Sequence, residues 1–295
     1  MLDGGKLMDT LAWWNGEIVA TTEVRISATD YGFLYGYGLF ETVRAYQGKP
    51  YLLIEHLARL KRGADALGIE VNTALMAQAV TSVIVANNIT EGRIRVTVSP
   101  GEGSVRPDLK SCVEPTVLVL ATKYVPPPED VYRRGYHVVT ADMVRNSRSP
   151  LNRYKSADYL ECIYALQTAR EAGYDEALML NEQGKLAECA TGNLFLVKRG
   201  KLITPDENSG ILPGITRQQV ILVAAELGIT VRTGGVSPGT MDAADEAFLT
   251  NSLMEIMPLT AVDGKEVGTG KQGELTARLQ AAYKKKVAAT LMLSE

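Results

Sequence analysis

Cysteine and histidine are scarce in this chain, three of one and two of the other in 295 residues. Cys112, Cys162 and Cys189 are odd in number and widely spaced. They argue against a disulfide framework and fit small buried hydrophobes in a reducing compartment. His56 and His137 leave a His/Cys zinc cluster few ligands, so no metal is expected. A Ser–His–Asp triad would have to draw on one of those two histidines, which leaves that reading weak. An excess of either charge is also missing. Thirty-one Lys and Arg face 34 Asp and Glu, a net charge of −3, which argues against a nucleic-acid-binding surface as the main role. No stretch approaches the ~18 apolar residues of a membrane span. The opening Met1-Leu2-Asp3-Gly4-Gly5-Lys6 lacks an apolar leader. A soluble, cytoplasmic protein with no membrane partner is expected.

What the chain does have is a 46% hydrophobic fraction, enough for a substantial core and for two domains. Trp13 to Ala20 places an Asn-Gly turn between apolar residues and predicts a hairpin. Phe40 to Tyr46, a turn at Gln47 to Pro50 and Tyr51 to Ile54 predict a second. Apolar residues at 54, 57, 60, 64 and 67 follow helical spacing, and a helix over Thr73 to Asn88 comes next. Strands are expected over Arg93 to Ser99 and Thr116 to Tyr124. Val125-Pro126-Pro127-Pro128 breaks the pattern, since consecutive prolines force an extended, semi-rigid segment. The reading is therefore a small domain over 1–125, a linker over 126–135 and a larger domain over 136–295. In the larger part, helices are expected over Ala157 to Ala172, Arg217 to Leu227 and Gly273 to Leu291. Strands are expected over Tyr136 to Thr140, Glu176 to Asn181, Asn193 to Lys198 and Glu246 to Thr250, with a hairpin around Asp263-Gly264.

Three blocks carry candidate chemistry. Lys155 lies in Arg153-Tyr154-Lys155-Ser156-Ala157-Asp158-Tyr159, where a polar stretch gives way to a helical pattern. An unprotonated lysine amine condenses with an aldehyde. Glu188 precedes the small polar run Cys189-Ala190-Thr191-Gly192-Asn193, and a carboxylate there could pair with a pyridinium nitrogen. Leu212-Pro213-Gly214-Ile215-Thr216-Arg217 puts Pro and Gly before a helix whose first N–H groups and threonine hydroxyl can hold a phosphate. Arg59 can add a bidentate phosphate contact. Each residue also has a plainer reading: a solvated lysine, a loop acid, an N-cap turn, and an arginine paired with Glu55 four residues earlier. Together, an amine, a carboxylate and an anion cradle fit pyridoxal 5′-phosphate (PLP). The glycine pairs at Gly36-Tyr37-Gly38 and Gly268-Thr269-Gly270-Lys271 lack the remaining positions of a dinucleotide or P-loop fingerprint and read as turns.

The blocks, in order from about Trp13 to Gly264, resemble the class IV (fold type IV) PLP-dependent enzymes. These comprise branched-chain aminotransferases, D-amino-acid aminotransferases and 4-amino-4-deoxychorismate lyases. The resemblance also draws on Asp30-Tyr31-Gly32-Phe33-Leu34-Tyr35-Gly36, Leu39-Phe40-Glu41-Thr42-Val43-Arg44 and His56-Leu57-Ala58-Arg59-Leu60. It implies an α/β (α+β) fold of two domains with the cofactor between them, in a homodimer whose partner lends loops to the site. By the same resemblance, Lys155 would form the Schiff base and move the proton, and Glu188 would hold the ring nitrogen. Arg59, the Ile215 N–H, Thr216 and Ser252 would hold the phosphate, and Tyr159 the ring 3-hydroxyl. Tyr35, Thr42, Arg44, Arg95, Ser252 and Leu253 would meet the substrate. The implied reaction moves an amino group between an amino acid, branched-chain L- or D-, and a 2-oxo acid. The alternative is the lyase that releases pyruvate and 4-aminobenzoate.

The chain departs from each subfamily pattern. Branched-chain members carry Tyr-x-Arg where this chain has Arg93-Ile94-Arg95, and Gly-Thr-Ala where it has Asn251-Ser252-Leu253. D-amino-acid members use Arg-x-His near the position of Arg106-Pro107-Asp108. Thr42, where branched-chain members favour glycine, and the Asn-Ser-Leu run resemble the lyase or D-selective groups. Arginines 25, 44, 93, 95 and 106 are all candidate carboxylate anchors.

Overall fold

A computed structural model describes residues 10–292, so the opening segment inspected for a leader lies outside the described residues. The chain divides into two compact units. One holds Met1–Val125 together with Tyr154–Asp158, the other Pro126–Arg153 with Tyr159–Glu295. The sequence places Lys155 in the second domain, whereas its short segment belongs to the first unit.

The first unit contains β1 (Leu11–Trp14), β2 (Glu17–Ala20), α1 (Tyr31–Tyr35), β3 (Leu39–Tyr46), β4 (Lys49–Pro50), α2 (Leu53–Leu67), α3 (Thr73–Ala86), β5 (Gly92–Ser99) and β6 (Thr116–Lys123). Its antiparallel sheet runs β2-β1-β6-β5-β3-β4. The period-2 alternation of strands decides the faces. Val43, Ala45, Ile94, Val96, Val119 and Ala121 turn inward and join Leu57, Leu60 and Ala64 of α2 and Met76, Val80 and Val83 of α3 in one core. Register then puts Phe40, Thr42 and Arg44 of β3 beside Thr97, Arg95 and Arg93 of β5 on the opposite face. The expected strand over Tyr51 to Ile54 does not form. Leu52 takes a left-handed conformation and α2 starts at Leu53, which leaves Ile54 exposed rather than on the core face.

The second unit contains α4 (Glu129–Arg134), β7 (Tyr136–Arg145), α5 (Leu160–Glu171), β8 (Glu176–Asn181), β9 (Leu186–Cys189), β10 (Asn193–Lys198), β11 (Lys201–Thr204), α6 (Ile215–Glu226), β12 (Val231–Thr233), α7 (Pro238–Asp242), β13 (Glu246–Asn251), β14 (Glu255–Val262), β15 (Lys265–Glu266) and α8 (Glu274–Met292). The residues after the three prolines, read as linker, form α4 because Pro128 serves as its N-cap. The sheet runs β12-β11-β10-β13-β14-β7-β8-β9, and β9 also pairs with β10. That last pairing, Asn193 with Glu188, closes six strands into a ring. One apolar cluster draws Val138, Leu178, Leu186, Leu194, Leu249 and Met257 from all six.

A β-bulge decides where Glu188 points. Leu178 of β8 faces Cys189 of β9 and Leu180 faces Leu186, so the register shifts by one residue. Leu186 and Cys189 therefore both join the inner cluster, and Glu188 turns to the side of Asn193. Bulges re-aim side chains in this way.

Candidate active site

Lys155 is fixed by backbone pairing. The Phe40 N–H donates to the Lys155 carbonyl at 2.9 Å and the Ala157 N–H to the Gly38 carbonyl at 2.8 Å, with Leu39 and Ser156 in antiparallel register. This extension of β3 is why α5 starts at Leu160 and not at Ala157. Gly38 permits it, because a Cβ there would stand 2.5 Å from the Val98 carbonyl and 3.4 Å from the Ala157 side chain. The Lys155 Nζ lies 4.4 Å from the Phe40 ring centroid, and the Arg95 guanidinium carbon 3.9 Å from the same ring. One aromatic face system thus carries both cations. Thr42 stands opposite Arg95 in the ladder.

Arg59 grips Glu41 rather than Glu55, the partner of its plainer reading. Its Nε and Nη2 each donate to a Glu41 oxygen at 2.7 Å, and His56 Nδ1 lies 2.7 Å from Glu41 Oε2. All three side chains are buried. Burial alone would raise the Glu41 pKa, but Arg59 and then His56 pull it down to about 2. Arg44 is committed elsewhere: its guanidinium stacks on Tyr46 and Tyr124 and pairs with Glu91 at 3.1 Å. It is four residues along β3 from Phe40, too far for one small substrate, and so leaves the substrate set. The Tyr35 hydroxyl donates to the Val105 carbonyl.

In the second unit, Glu188 is held from three sides. Arg145 Nη2 lies 2.9 Å from Oε1, the Leu212 N–H 3.1 Å from Oε1 and Asn193 Nδ2 2.8 Å from Oε2. Asn193 Nδ2 also donates to the Leu212 carbonyl. Residue 212 is therefore clamped by both, and α6 starts three residues later. Gly214 is its N-cap, with no side-chain cap bond. A Cβ at Gly214 would fall 1.9 Å from Asn193 Oδ1, so only glycine fits. The first-turn N–H groups of Ile215 and Thr216 have no intrahelical acceptor, and the Thr216 side chain is buried. Thr250 stands opposite Asn193 in the ladder and therefore on the same face. Among the described residues its buried hydroxyl has no hydrogen-bond partner.

The Tyr159 hydroxyl donates to the Ala190 carbonyl at 2.6 Å, and burial pushes its pKa well up. The neutral phenol oxygen can still accept. In the turn after β13, Asn251 Oδ1 accepts from the Leu253 and Met254 N–H groups. The Leu253 N–H is thus taken up within the turn. Ser252 is half-buried at the tip. Glu41, Arg145 and Asn193 were not singled out from sequence. Of these, Glu41 and Asn193 lie within blocks already noted, whereas Arg145 carries no local signal. Thr250 heads the small polar run Thr250-Asn251-Ser252-Leu253, whose hydroxyl and N–H donors can hold a phosphate or carboxylate.

The second unit thus carries a clamped carboxylate and a helix start with a glycine N-cap, and the first carries an amine beside a guanidinium on one aromatic ring. Residues 38–262 match the family model described as Amino-transferase class IV. An aminodeoxychorismate lyase of Bacillus subtilis is 35% identical, with 92% of this chain and 93% of that protein covered. A branched-chain-amino-acid aminotransferase of Escherichia coli is 30% identical, covering 92% and 91%. The crystal structure of the T.th. branched-chain amino acid aminotransferase with pyridoxamine 5′-phosphate superposes with a TM-score of 0.89, at 28% identity and over 96% and 95% of the two chains. The chain belongs to the class IV aminotransferases and is a PLP-dependent enzyme. Its donor set fits that cofactor: an amine, a carboxylate held by three donors, a helix start whose glycine N-cap makes no side-chain cap bond and, among the described residues, an unsatisfied buried hydroxyl on the same face as Asn193.

Proposed function

We propose that the chain transfers an amino group between an amino acid with an apolar side chain, the branched-chain amino acids foremost, and a 2-oxo acid. The observation that carries this reading is the Phe40 ring with Lys155 Nζ at 4.4 Å and the Arg95 guanidinium at 3.9 Å. An α-amino acid needs a base near its α-carbon, a cation for its carboxylate and an apolar wall for its side chain. These residue types meet there. PLP, when bound, supplies the aldehyde that takes the amino group and a ring that draws electrons from the α-carbon. Lys155 would hold the cofactor through its aldehyde, and its Nζ, once free, would carry the proton to and from the substrate α-carbon. Glu188 holds a proton at the ring nitrogen, kept in place by Arg145, Asn193 and the Leu212 N–H. Arg59, the Ile215 N–H, Thr216 and Ser252 bind the phosphate, and Glu41 orients Arg59. Tyr159 would bond the ring 3-hydroxyl. Arg95 anchors the substrate carboxylate, with Thr42 beside it.

A second reading keeps the cofactor and Lys155 but releases pyruvate from aminodeoxychorismate. The 35% identity to the Bacillus subtilis lyase, Thr42 and the Asn251-Ser252-Leu253 run favour it. The two separate in one experiment: the PLP-loaded protein is mixed with L-leucine, D-alanine and L-glutamate in turn, and the cofactor spectrum is followed. Conversion to the pyridoxamine form by L-leucine is expected. No conversion by any of them, with pyruvate released from aminodeoxychorismate, would overturn the aminotransferase in favour of the lyase. The active species is a homodimer, supported by an exposed apolar patch on the first unit (Phe33, Leu34, Tyr35 and Val105). Free cysteines at 112, 162 and 189 suit a reducing, cytoplasmic location.

A further inference from the structure

Arg217 occupies a position that elementary electrostatics disfavours. It is the third residue of α6, whose first turn contains no acidic residue. The helix dipole puts partial positive charge at that end, where a cation is unwelcome and Asp or Glu is the usual choice. The side chain is also only 8% exposed. Its Nε donates to Thr204 Oγ1 at 3.2 Å and its Nη2 to the Pro205 carbonyl at 2.9 Å. The Thr204 hydroxyl itself donates to the Leu194 carbonyl, and both acceptors of Arg217 are neutral. Among the described residues no ion pair to Arg217 is formed. Burial lowers its pKa by more than Glu207, Asp206 and Glu188 raise it. A buried charge without a counter-ion is costly, and this one bears a second penalty from the dipole. Both penalties are relieved by a dianion at the start of α6.

We infer that Arg217 is a positioning residue for the phosphate site. Its buried guanidinium gives the α6 start a net positive field, while the Ile215 and Thr216 donors make the contacts. The inference rests on the phosphate placement proposed above. It concerns a residue that touches no ligand and acts through the field at the helix start.

The test compares PLP with pyridoxal, the same ring without the phosphate, by equilibrium binding to the stripped protein. Inorganic phosphate, read by its shift of the melting temperature, serves as a second ligand. In Arg217→Met the preference for PLP over pyridoxal is expected to fall on the order of tenfold, and phosphate stabilisation to shrink. The melting temperature of the stripped variant should be no lower than that of the parent, because an uncompensated charge has gone. Arg217→Lys, which keeps the charge but not the fork geometry, should restore most of the preference. A purely structural role would weaken PLP and pyridoxal alike, so an unchanged ratio in Arg217→Met overturns the inference. Thr216→Val separates the two levels. If it lowers the ratio while Arg217→Met does not, the inference alone falls; if neither does, the phosphate placement falls with it. Should Arg217→Met fail to fold, Arg217→Gln against Arg217→Lys carries the same comparison.

Discussion

Glu41 shows how much a single buried carboxylate can decide. It is fully buried and meets Arg59 through both oxygens and His56 through one. Its pKa in the folded protein is about 2, against an ordinary 4.5. A depressed carboxylate stabilises the fold above its unfolded pKa, and this contribution is lost as pH falls through the folded value. Stability should therefore decline between pH 4.5 and pH 2, by about 3 kcal/mol from this group. Urea unfolding across that range measures it, and Glu41→Gln should flatten the acid limb. The same variant leaves Arg59 buried without its counter-ion, at a cost of about 3 to 5 kcal/mol at neutral pH. An acid limb as steep as the parent's would remove Glu41 as its source. Glu188→Ala, by contrast, should slow transamination by on the order of a hundredfold while PLP affinity changes little, because the phosphate donors are untouched. Stopped-flow half-reactions and equilibrium binding separate the two effects. Lys155, Glu188, Thr216 and Arg59 were legible from sequence through their blocks. Their partners were not, because Glu41 and Arg145 come from distant strands, and the local candidate for Arg59, Glu55, loses to geometry.

Elements were legible where the pattern is local and illegible where pairing is long-range. Helices α2, α3 and α8 follow their apolar spacing. Ala157 and Asp158 read as the start of a helix, yet the segment that holds them pairs extended along Gly38 and Leu39, because unsatisfied β3 backbone groups compete for it. The bulge in β9 that turns Glu188 has no signature in Leu186-Ala187-Glu188-Cys189. Gly38→Ala tests the first point. Its methyl group would meet the Val98 carbonyl of β5 at 2.5 Å and push the Gly38 end of β3, which the lysine segment pairs with, away from β5, costing about 1 to 3 kcal/mol. Thermal melting should show the loss, and reconstitution with PLP should slow. Gly239→Ala in α7 is the matched control, since a Cβ there meets nothing within 4 Å and the substitution should stabilise by roughly 0.5 to 1 kcal/mol. Equal effects at the two sites would mean that the close approach at Gly38 is unimportant.

At the scale of the whole molecule, the first unit leaves an apolar surface uncovered. Phe33 and Val105 are each 74% exposed, and Leu34 and Tyr35 are partly exposed. The patch is built rather than loose. The Tyr35 hydroxyl ties α1 to Val105, and the Tyr31 hydroxyl gathers the carbonyls of Ser104, Arg106 and Asp108. Tyr31 and Tyr35 meet edge to face at 5.0 Å. Single exposed hydrophobes are ordinary, but a clustered and braced set marks an interaction surface. A second copy of the chain is the occupant proposed here, so the parent protein should sediment as a dimer at micromolar concentration. Phe33→Asp would bury a charge at the centre of that contact, a change worth several kcal/mol, and should yield a folded monomer with unchanged far-ultraviolet dichroism. Sedimentation velocity decides: a monomeric parent, or a variant that remains dimeric, would move the subunit contact away from α1 and leave Phe33 without an explanation.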